Sequence, residues 1–298
     1  MVKLQELIVQ EFGEMVLGIV DPFERGWMFP LTDVSFNEIK SNIDSIIDLK
    51  KIGEVRHLAK LIHNEGKGNQ NTDNDSLAAR LCTHDLMGRF ALYLNVAGQM
   101  NESPKYKNNQ GEIKDLVTFI ILSRTIGLAM AYLSSDGDPR YVTKIPTSQL
   151  DYIWPGAPSG RDLKINSVDS ITNIEYTVIQ QFIRNAKTRP QIQMQKEQGY
   201  LVTIVSDNGM GILDEEERQI QKGEIGKIFG NFTTKHEGGT GLIVADRLAQ
   251  LSGGYIELIS VTEGNPAIVY NTRTKRAIEM HVPFQHGARF TLFTPANL

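Results

Sequence analysis

The chain has 298 residues, of which 41% are hydrophobic and 22% charged, with a net charge of −4 and a pI near 5.9. This length accommodates two or three domains, and the composition excludes an intrinsically disordered chain. No concentration of basic residues marks a surface for nucleic acid, so we expect no nucleic-acid partner. The single cysteine, Cys82, cannot form an internal disulfide, and neither a secretory signal nor a long apolar run is evident. We therefore expect a cytoplasmic protein without a membrane span.

Two polar, glycine-containing stretches, residues 63–71 and 134–139, divide the chain. The predicted parts are residues 1–68, 69–137 and 138–298. The first part is predicted to be helical, because amphipathic patterns run over residues 2–20 and 36–62. It carries no chemistry that its residues reveal, and its role stays open.

Apolar residues recur at spacings of three and four through the second part, which predicts a helical hairpin. The first apolar stripe consists of Ala79, Cys82, Leu86, Phe90, Tyr93, Ala97 and Met100. The returning helix has its own stripe, formed by Ile113, Leu116, Val117, Ile120, Ile121 and Leu128. Two helices cannot enclose a core alone, so we expect two hairpins from two chains to form a four-helix bundle.

The third part mixes helices and strands. Helical patterns cover residues 174–186 and 240–251, whereas strand patterns cover residues 200–205, 255–261 and 289–294. This order predicts an α/β sandwich with one face of the sheet covered, and therefore an α+β protein as a whole. Residues 265–286 are expected to form an additional hairpin or loop.

Asp207, Gly209 and Gly211 form the most informative motif, directly after a predicted strand. A carboxylate at the end of a strand can accept a hydrogen bond from an amino group such as that of adenine. The two glycines permit tight turns and close approach to a flat ligand. An EF-hand loop needs oxygen ligands where the glycines stand, and a dinucleotide-binding loop needs a further glycine. Alone, the motif fits a simple turn equally well.

Two further motifs suit the phosphate end of a nucleotide. Asn185 lies one helical turn after Gln181, and its amide oxygen is a ligand type that Mg²⁺ accepts. The cluster Gly238-Gly239-Thr240-Gly241 opens a predicted helix, where free backbone N–H groups bind phosphate. The alternatives are a plain amphipathic helix for the first motif and a flexible turn for the second.

Together these motifs resemble the ATPase domain shared by histidine kinases, DNA gyrase, a heat-shock chaperone family and the mismatch-repair ATPases. Gln181–Ala186 resembles its N box, Asp207–Gly211 its first glycine box, Phe229–Phe232 its F box, and Gly239–Gly241 its second glycine box. The resemblance covers about residues 170–262. It implies ATP and Mg²⁺ as cofactors, with Asn185 as the metal ligand. The cofactor-binding residues that it implies are Asn185, Lys187, Asp207, Gly209, Gly211, Ile212, Phe232, Thr234, Gly239, Thr240, Gly241 and Leu242.

The hydrolysing members of this family carry a glutamate as general base where this chain has Gln181, and an amide cannot accept a proton near neutral pH. Phosphotransfer is therefore favoured over hydrolysis. His84-Asp85-Leu86 is similar to the phosphoacceptor box of histidine kinases, which implies His84 as the catalytic acceptor and Asp85 as its assistant. On a regular helix His84 lies about 200° from Cys82, away from the apolar stripe.

Some residues depart from the family pattern. Met87, Gly88 and Arg89 replace the usual basic, small and proline residues of the acceptor box, and Ile243 replaces a glycine near the phosphate cradle. The N box lacks the lysine that usually stands three residues after the asparagine, and Lys187 or Arg189 is expected to reach the phosphates instead.

The leading hypothesis is a soluble, homodimeric histidine kinase. It binds Mg-ATP, autophosphorylates on His84 and passes the phosphoryl group to a response regulator receiver domain. The alternative is a non-catalytic histidine phosphotransfer or adaptor protein with a degenerate ATPase domain. A third reading is a hydrolysing ATPase or a serine kinase of the same superfamily.

Overall fold

The structure is a computed structural model that divides into two compact units, Met1–Pro155 and Gly156–Leu298. The residues that it describes are 4–18, 32–42, 49–66, 72–87, 108–150, 163–186, 188–213, 219–230, 240–281 and 286–297. The unit boundary lies later in the chain than residue 138, where the sequence patterns placed the start of the third part. The predicted parts 1–68 and 69–137 both fall in the first unit.

The first unit is helical. Its helices are α1 (Leu4–Leu17), α2 (Asp33–Ser41), α3 (Leu49–Gly66), α4 (Asn74–Leu81) and α5 (Gln110–Ser134). A π-helical turn, Cys82–Leu86, continues α4. After α5 come a 3₁₀ turn (Pro139–Tyr141), the short strand β1 (Lys144–Pro146) and a second 3₁₀ turn (Thr147–Gln149).

Polar caps fix where several of these helices begin. The side chain of Thr32 accepts the N–H of Ser35 at the start of α2, and the carboxylate of Asp73 accepts the N–H of Ser76 at the start of α4. Such caps satisfy amide groups that the first helical turn leaves without an acceptor. The sequence patterns located these helices but not their first residues.

The single helical pattern predicted over residues 36–62 was wrong. α2 ends at Ser41, and Asn42 is its C-cap residue, whose backbone N–H donates to the carbonyls of Glu38 and Ile39 and whose side-chain Nδ2 also donates to the carbonyl of Glu38. α3 then runs from Leu49 to Gly66. Residues 63–66, predicted as part of a polar seam, are the last turn of this helix.

α1 packs closely against α5. A Cβ atom added to Gly13 would lie only 2.6 Å from the Cβ of Ala131, so the backbone of α1 approaches where glycine leaves room. The buried guanidinium of Arg124 on α5 donates hydrogen bonds of 3.1 and 3.0 Å to the carbonyls of Val16 and Leu17. These carbonyls belong to the last turn of α1, where helices leave acceptors unused.

α3 packs against α4 and the π turn. The thiol of Cys82 donates to the carbonyl of Ala59, and Nδ1 of His63 lies 2.9 Å from Oγ1 of Thr83. The predicted helix pair α4–α5 is thus covered by α1 and α3 of the same chain. The sequence argument expected helices of a second chain in that role, and the homodimer stays a prediction.

The predicted apolar residues of α5 are all buried, and so are Ala79, Cys82 and Leu86 on the other helix. Phe90, Tyr93, Ala97 and Met100 lie outside the described residues. Every residue from Asp75 to Cys82 is buried, so α4 lies inside the bundle rather than presenting a single stripe. Among the described helices, α5 is long and apolar enough to cross a membrane, but 94% of its apolar window is buried, as in a core helix.

The second unit contains a seven-stranded sheet with the order β2-β4-β5-β9-β6-β7-β8. Its strands are β2 (Leu163–Asn166), β4 (Gln191–Glu197), β5 (Tyr200–Ser206), β6 (Tyr255–Val261), β7 (Ala267–Asn271), β8 (Arg276–Met280) and β9 (Gly287–Pro295). β2 and β4 are parallel, and the other neighbouring pairs are antiparallel. The short strand β3 (Ser170–Thr172) precedes the first helix of this unit.

Two helices, α6 (Asn173–Asn185) and α7 (Thr240–Leu251), pack against the sheet and against each other. Phe182 of α6 stacks on Phe290 of β9 with ring centroids 4.8 Å apart. A capping box between Thr172 and Glu175 starts α6, and Glu175 also accepts a hydrogen bond from Thr294 of β9. The predicted α/β sandwich is confirmed, and residues 265–286 contain the expected hairpin, β7–β8. The sequence patterns missed β2 and β4.

Candidate nucleotide site

The N box and the second glycine box meet where α6 and α7 touch. A Cβ atom added to Gly241 would lie 2.6 Å from Oε1 of Gln181, so the glutamine side chain occupies the space that the glycine leaves. Gln181 is only 4% exposed. The residues are 60 positions apart in the chain, and the fold brings them into contact as the box pattern required.

Asn185 is the last residue of α6 and is partly exposed. Its Nδ2 donates a 2.7 Å hydrogen bond to the carbonyl of Gln181, which restrains the side chain and leaves the Oδ1 atom outside this bond. A carbonyl oxygen is the ligand type that Mg²⁺ prefers, so this geometry fits a metal ligand. The described residues contain no group of three or more His, Cys, Asp or Glu side chains that could hold a metal, so phosphate oxygens and water would complete such a site.

Asp207 lies directly after β5 and is 6% exposed. Its Oδ1 accepts the N–H of Gly209 at 2.7 Å and the N–H of Ala288 at 3.4 Å. These bonds fix the orientation of the carboxylate, which sits at the end of a central strand as predicted. A fixed, buried carboxylate can accept a hydrogen bond from an amino group with little loss of freedom.

Glycine is required at two points around Asp207. Gly211 has φ of +75°, and a Cβ there would lie 2.7 Å from the carbonyl oxygen of Val261. Gly287 has φ of +117°, and a Cβ there would collide with the carbonyl of Asp207. Both φ values lie in the region that side chains disfavour. The sequence analysis recognised the first glycine and missed the second.

Residues 207–212, which we call the glycine loop, are held by side chains from outside the boxes. The N–H of Asn208 donates to Oγ1 of Thr188 at 3.0 Å, and the N–H of Ile212 donates to Oγ of Ser260 at 2.8 Å. Oγ1 of Thr262 donates to the carbonyl of Met210 at 3.1 Å, and Nδ1 of His286 lies 3.1 Å from the carbonyl of Gly209. The four side chains that hold the loop are those of Thr188, Ser260, Thr262 and His286. Sequence reasoning missed all of them, because none belongs to a recognised motif.

Part of the predicted site lies outside the described residues. The residues concerned are Lys187, Phe232, Thr234 and Gly239, together with the side chain of Thr240. At the start of the F box, the 3₁₀ turn Ile225–Phe229 places Phe229 in a stack on Tyr270, with ring centroids 5.6 Å apart. Leu242 is buried in the first turn of α7, beside the buried Ile243.

His84 and Asp85 lie in the helical unit, on the π turn Cys82–Leu86. Here the N–H of Met87 bonds to the carbonyl of Cys82, five residues back. Single π turns inside α-helices occur frequently at functional sites. The prediction of a regular helix was therefore wrong at this point, and angles reckoned at 100° per residue do not apply across it. The side chain of His84 lies outside the described residues, whereas Asp85 is 4% exposed.

Burial raises the pKa of a side chain in each unit. Burial raises the pKa of the Cys82 thiol to about 12, so this cysteine is a core residue rather than a nucleophile. On α7, burial raises the pKa of Asp246 above its ordinary value, and hydrogen bonds from Thr272 and Gln250 oppose this shift.

One family of known proteins matches the sheet unit. The model of the histidine kinase-, DNA gyrase B- and HSP90-like ATPase family matches residues 171–298. No curated protein matches the sequence. Among solved structures, full-length ShkA in complex with AMPPNP is similar, with 15% sequence identity and a TM-score of 0.35, and the match covers 62% of this chain and 39% of that chain. The family resemblance inferred from the boxes is confirmed. Residues 171–298 therefore form a domain similar to the histidine kinase-, DNA gyrase B- and HSP90-like ATPases, a match that covers less than half of the chain and implies ATP binding by this domain.

Proposed function

We propose that this protein is a histidine kinase that binds Mg-ATP in its sheet unit, phosphorylates His84 and passes the phosphoryl group to an aspartate of a response regulator. The observation that carries this proposal is the contact between Gln181 and Gly241. The N box meets the phosphate-binding helix there through an amide, which cannot act as a general base for water.

In the proposed site, each end of the nucleotide is held by a different element. Asp207 accepts the amino group of adenine, and Gly211 lets the flat base approach the backbone. The amide oxygen of Asn185 holds Mg²⁺, which neutralises charge on the phosphates when it is bound. The start of α7, at Thr240 and Gly241, offers backbone N–H groups to the phosphates.

The transfer step forms a nitrogen–phosphorus bond and breaks the bond between the γ-phosphorus and the bridging oxygen of ATP. An imidazole nitrogen of His84 donates its lone pair, and ADP leaves with the electrons of the broken bond. The other ring nitrogen gives up its proton, which Asp85 is placed in sequence to receive. The proposal locates the protein in the cytoplasm, where response regulators with a receiver domain are its partners.

The test is to incubate the purified chain with γ-labelled ATP and Mg²⁺. We expect a label that is stable in base, labile in acid and absent from His84→Gln. His57→Gln is the matched control, because His57 is exposed on α3 of the same unit and should leave labelling unchanged. A protein that binds ATP but takes up no label contradicts the kinase proposal.

A second candidate is a histidine phosphotransfer protein that receives phosphate from another protein. It is favoured by the packing of α1 and α3 of the same chain on α4 and α5, since these helices supply, among the described residues, contacts that the bundle would otherwise take from a second copy. Titration with a non-hydrolysable ATP analogue separates the candidates. Absent binding, combined with labelling of His84 by a phosphorylated receiver domain, favours the relay. Light scattering on the same sample measures whether the chain is a homodimer.

A further inference from the structure

We propose that Thr188, Ser260, Thr262 and His286 are positioning residues that hold the glycine loop in its nucleotide-binding conformation before ATP arrives. This inference rests on the proposed binding of ATP in the sheet unit. None of the four belongs to the N box, the glycine boxes or the F box. They act through the backbone of residues 208–212, and so determine where Asp207 and Gly211 stand.

The first support is that four of the five residues from 208 to 212 each have a backbone group within hydrogen-bond distance of one of these side chains. Thr188 holds the N–H of Asn208, His286 the carbonyl of Gly209, Thr262 the carbonyl of Met210 and Ser260 the N–H of Ile212. A carbonyl only accepts hydrogen bonds, so Nδ1 of His286 carries the proton in this contact. Consecutive backbone groups are thus tied to three separate segments of the fold.

The second support is the position of Ser260. It is fully buried on β6, and its Oγ lies 3.0 Å from where a Cβ on Gly211 would stand. The same hydroxyl accepts the N–H of Ile212 at 2.8 Å. It therefore sets both the direction of the backbone after the second glycine and the closeness of the loop to β6. Burial means that water does not readily replace this acceptor in a variant.

The third support is that these bonds form one set with those of Asp207. Its Oδ1 accepts the N–H of Gly209, and its own N–H donates to the carbonyl of Ala288 at 2.9 Å. Ile212, the residue after Gly211, is also held through its carbonyl, which accepts the N–H of Ile220. A loop ordered in this way loses little conformational freedom on binding, which favours affinity.

The experiment measures binding of a non-hydrolysable ATP analogue to the full chain by calorimetry. We expect Ser260→Ala to raise Kd by about three- to thirtyfold, the range for losing one hydrogen bond near a buried partner. Thr262→Val should raise Kd by only about two- to threefold, because the bond from Thr262 to Met210 is exposed to water. Ser252→Ala is the matched control, because Ser252 is also buried and bonds one backbone carbonyl, that of Ala249 at the end of α7. Thr262→Ser keeps the hydroxyl and should retain the affinity of the natural protein.

Amide hydrogen exchange without nucleotide provides the readout that a general loss of stability does not produce. Ser260→Ala should speed exchange at Ile212 while the amides of β5 and β9 keep their protection. If the natural protein binds the analogue and both variants bind equally well, the positioning role is refuted and the proposed nucleotide site stands. If the natural protein does not bind the analogue, the nucleotide proposal itself fails and this inference fails with it.

Discussion

Alanine at Gly211 tests the contact between the glycine loop and β6. Its φ is +75°, and a Cβ would lie 2.7 Å from the carbonyl oxygen of Val261 and 3.0 Å from Oγ of Ser260. Gly199 and Gly264 provide matched controls, because their φ values of +82° and +80° are similar but a Cβ there would meet nothing within 4 Å. The controls measure the backbone cost alone.

At Gly211 the free-energy cost of the left-handed backbone adds to the cost of the contact between the new Cβ and β6. A side chain in the left-handed region costs about 1–2 kcal/mol, which all three alanine variants share. Forcing an extra carbon against the backbone of β6 costs about 1–3 kcal/mol more, because a strand paired on both sides cannot move freely. We therefore expect Gly211→Ala to lower the free energy of unfolding by about 2–5 kcal/mol, and each control by about 1–2 kcal/mol.

Native-state hydrogen exchange of amides in β5 and β6 is the suitable assay, because it reports the unfolding of the sheet unit separately from the helical unit. A second measurement, titration with a non-hydrolysable ATP analogue, should show weakened binding for Gly211→Ala and unchanged binding for Gly264→Ala. Equal losses of stability in Gly211→Ala and Gly199→Ala would refute the argument that β6 packs against the loop backbone.

Three further predictions concern other parts of the molecule. Because burial raises the pKa of Asp246, the folded sheet unit binds this proton more tightly than the unfolded chain does, and the free energy of unfolding falls as pH rises from about 4 through the raised pKa. Asp246→Asn should remove this fall in urea titrations at several pH values, and an unchanged dependence of stability on pH would contradict the prediction. Gln181→Glu should increase steady phosphate release from ATP by about tenfold, since a carboxylate there can accept a proton from water, and an unchanged rate argues against the role given to the amide. Arg124→Met should reduce protection of the amides of α1 by about 2 kcal/mol in hydrogen exchange, because the carbonyls of Val16 and Leu17 lose a charged donor, whereas equal protection would show that α1 docks without it.

Much of the sheet unit was predictable from the chain alone. α7 begins and ends at the predicted residues, and β6 has the predicted bounds. These elements bury one side against a core, so their apolar periodicity is written in neighbouring residues. β4 escaped prediction because its sequence, QIQMQKE, alternates polar side chains with only two apolar ones, Ile192 and Met194.

The sequence predicted the motifs that form the site but not the contacts between them. Asp207 and Gly211 form a local motif, and Gln181 and Asn185 lie one helical turn apart, so spacing alone relates them. The packing of Gln181 against Gly241 and the hold of Ser260 on Ile212 are different in kind. Each joins residues separated by dozens of positions, and no local periodicity records such a contact.

The helical unit shows the same division. Apolar spacing predicted the pair α4–α5, yet the π turn at His84 depends on which carbonyl the N–H of Met87 reaches inside the packed bundle. The close packing of α1 on α5 depends on Gly13, which lies against Ala131. Nothing in the neighbouring sequence distinguishes this glycine from other helical glycines.

By itself, then, the sequence determined the helices and most of the long strands of the ATP-binding domain, although not β2 and β4, and the family that this domain resembles, because periodicity and short motifs depend on residues near one another in the chain. Only the tertiary structure decided that α1 and α3 pack on α4 and α5, that the turn at His84 is π-helical and that four side chains outside the motifs hold the glycine loop. Those features follow from contacts through space, where burial and hydrogen-bond geometry select partners that distance along the chain does not reveal.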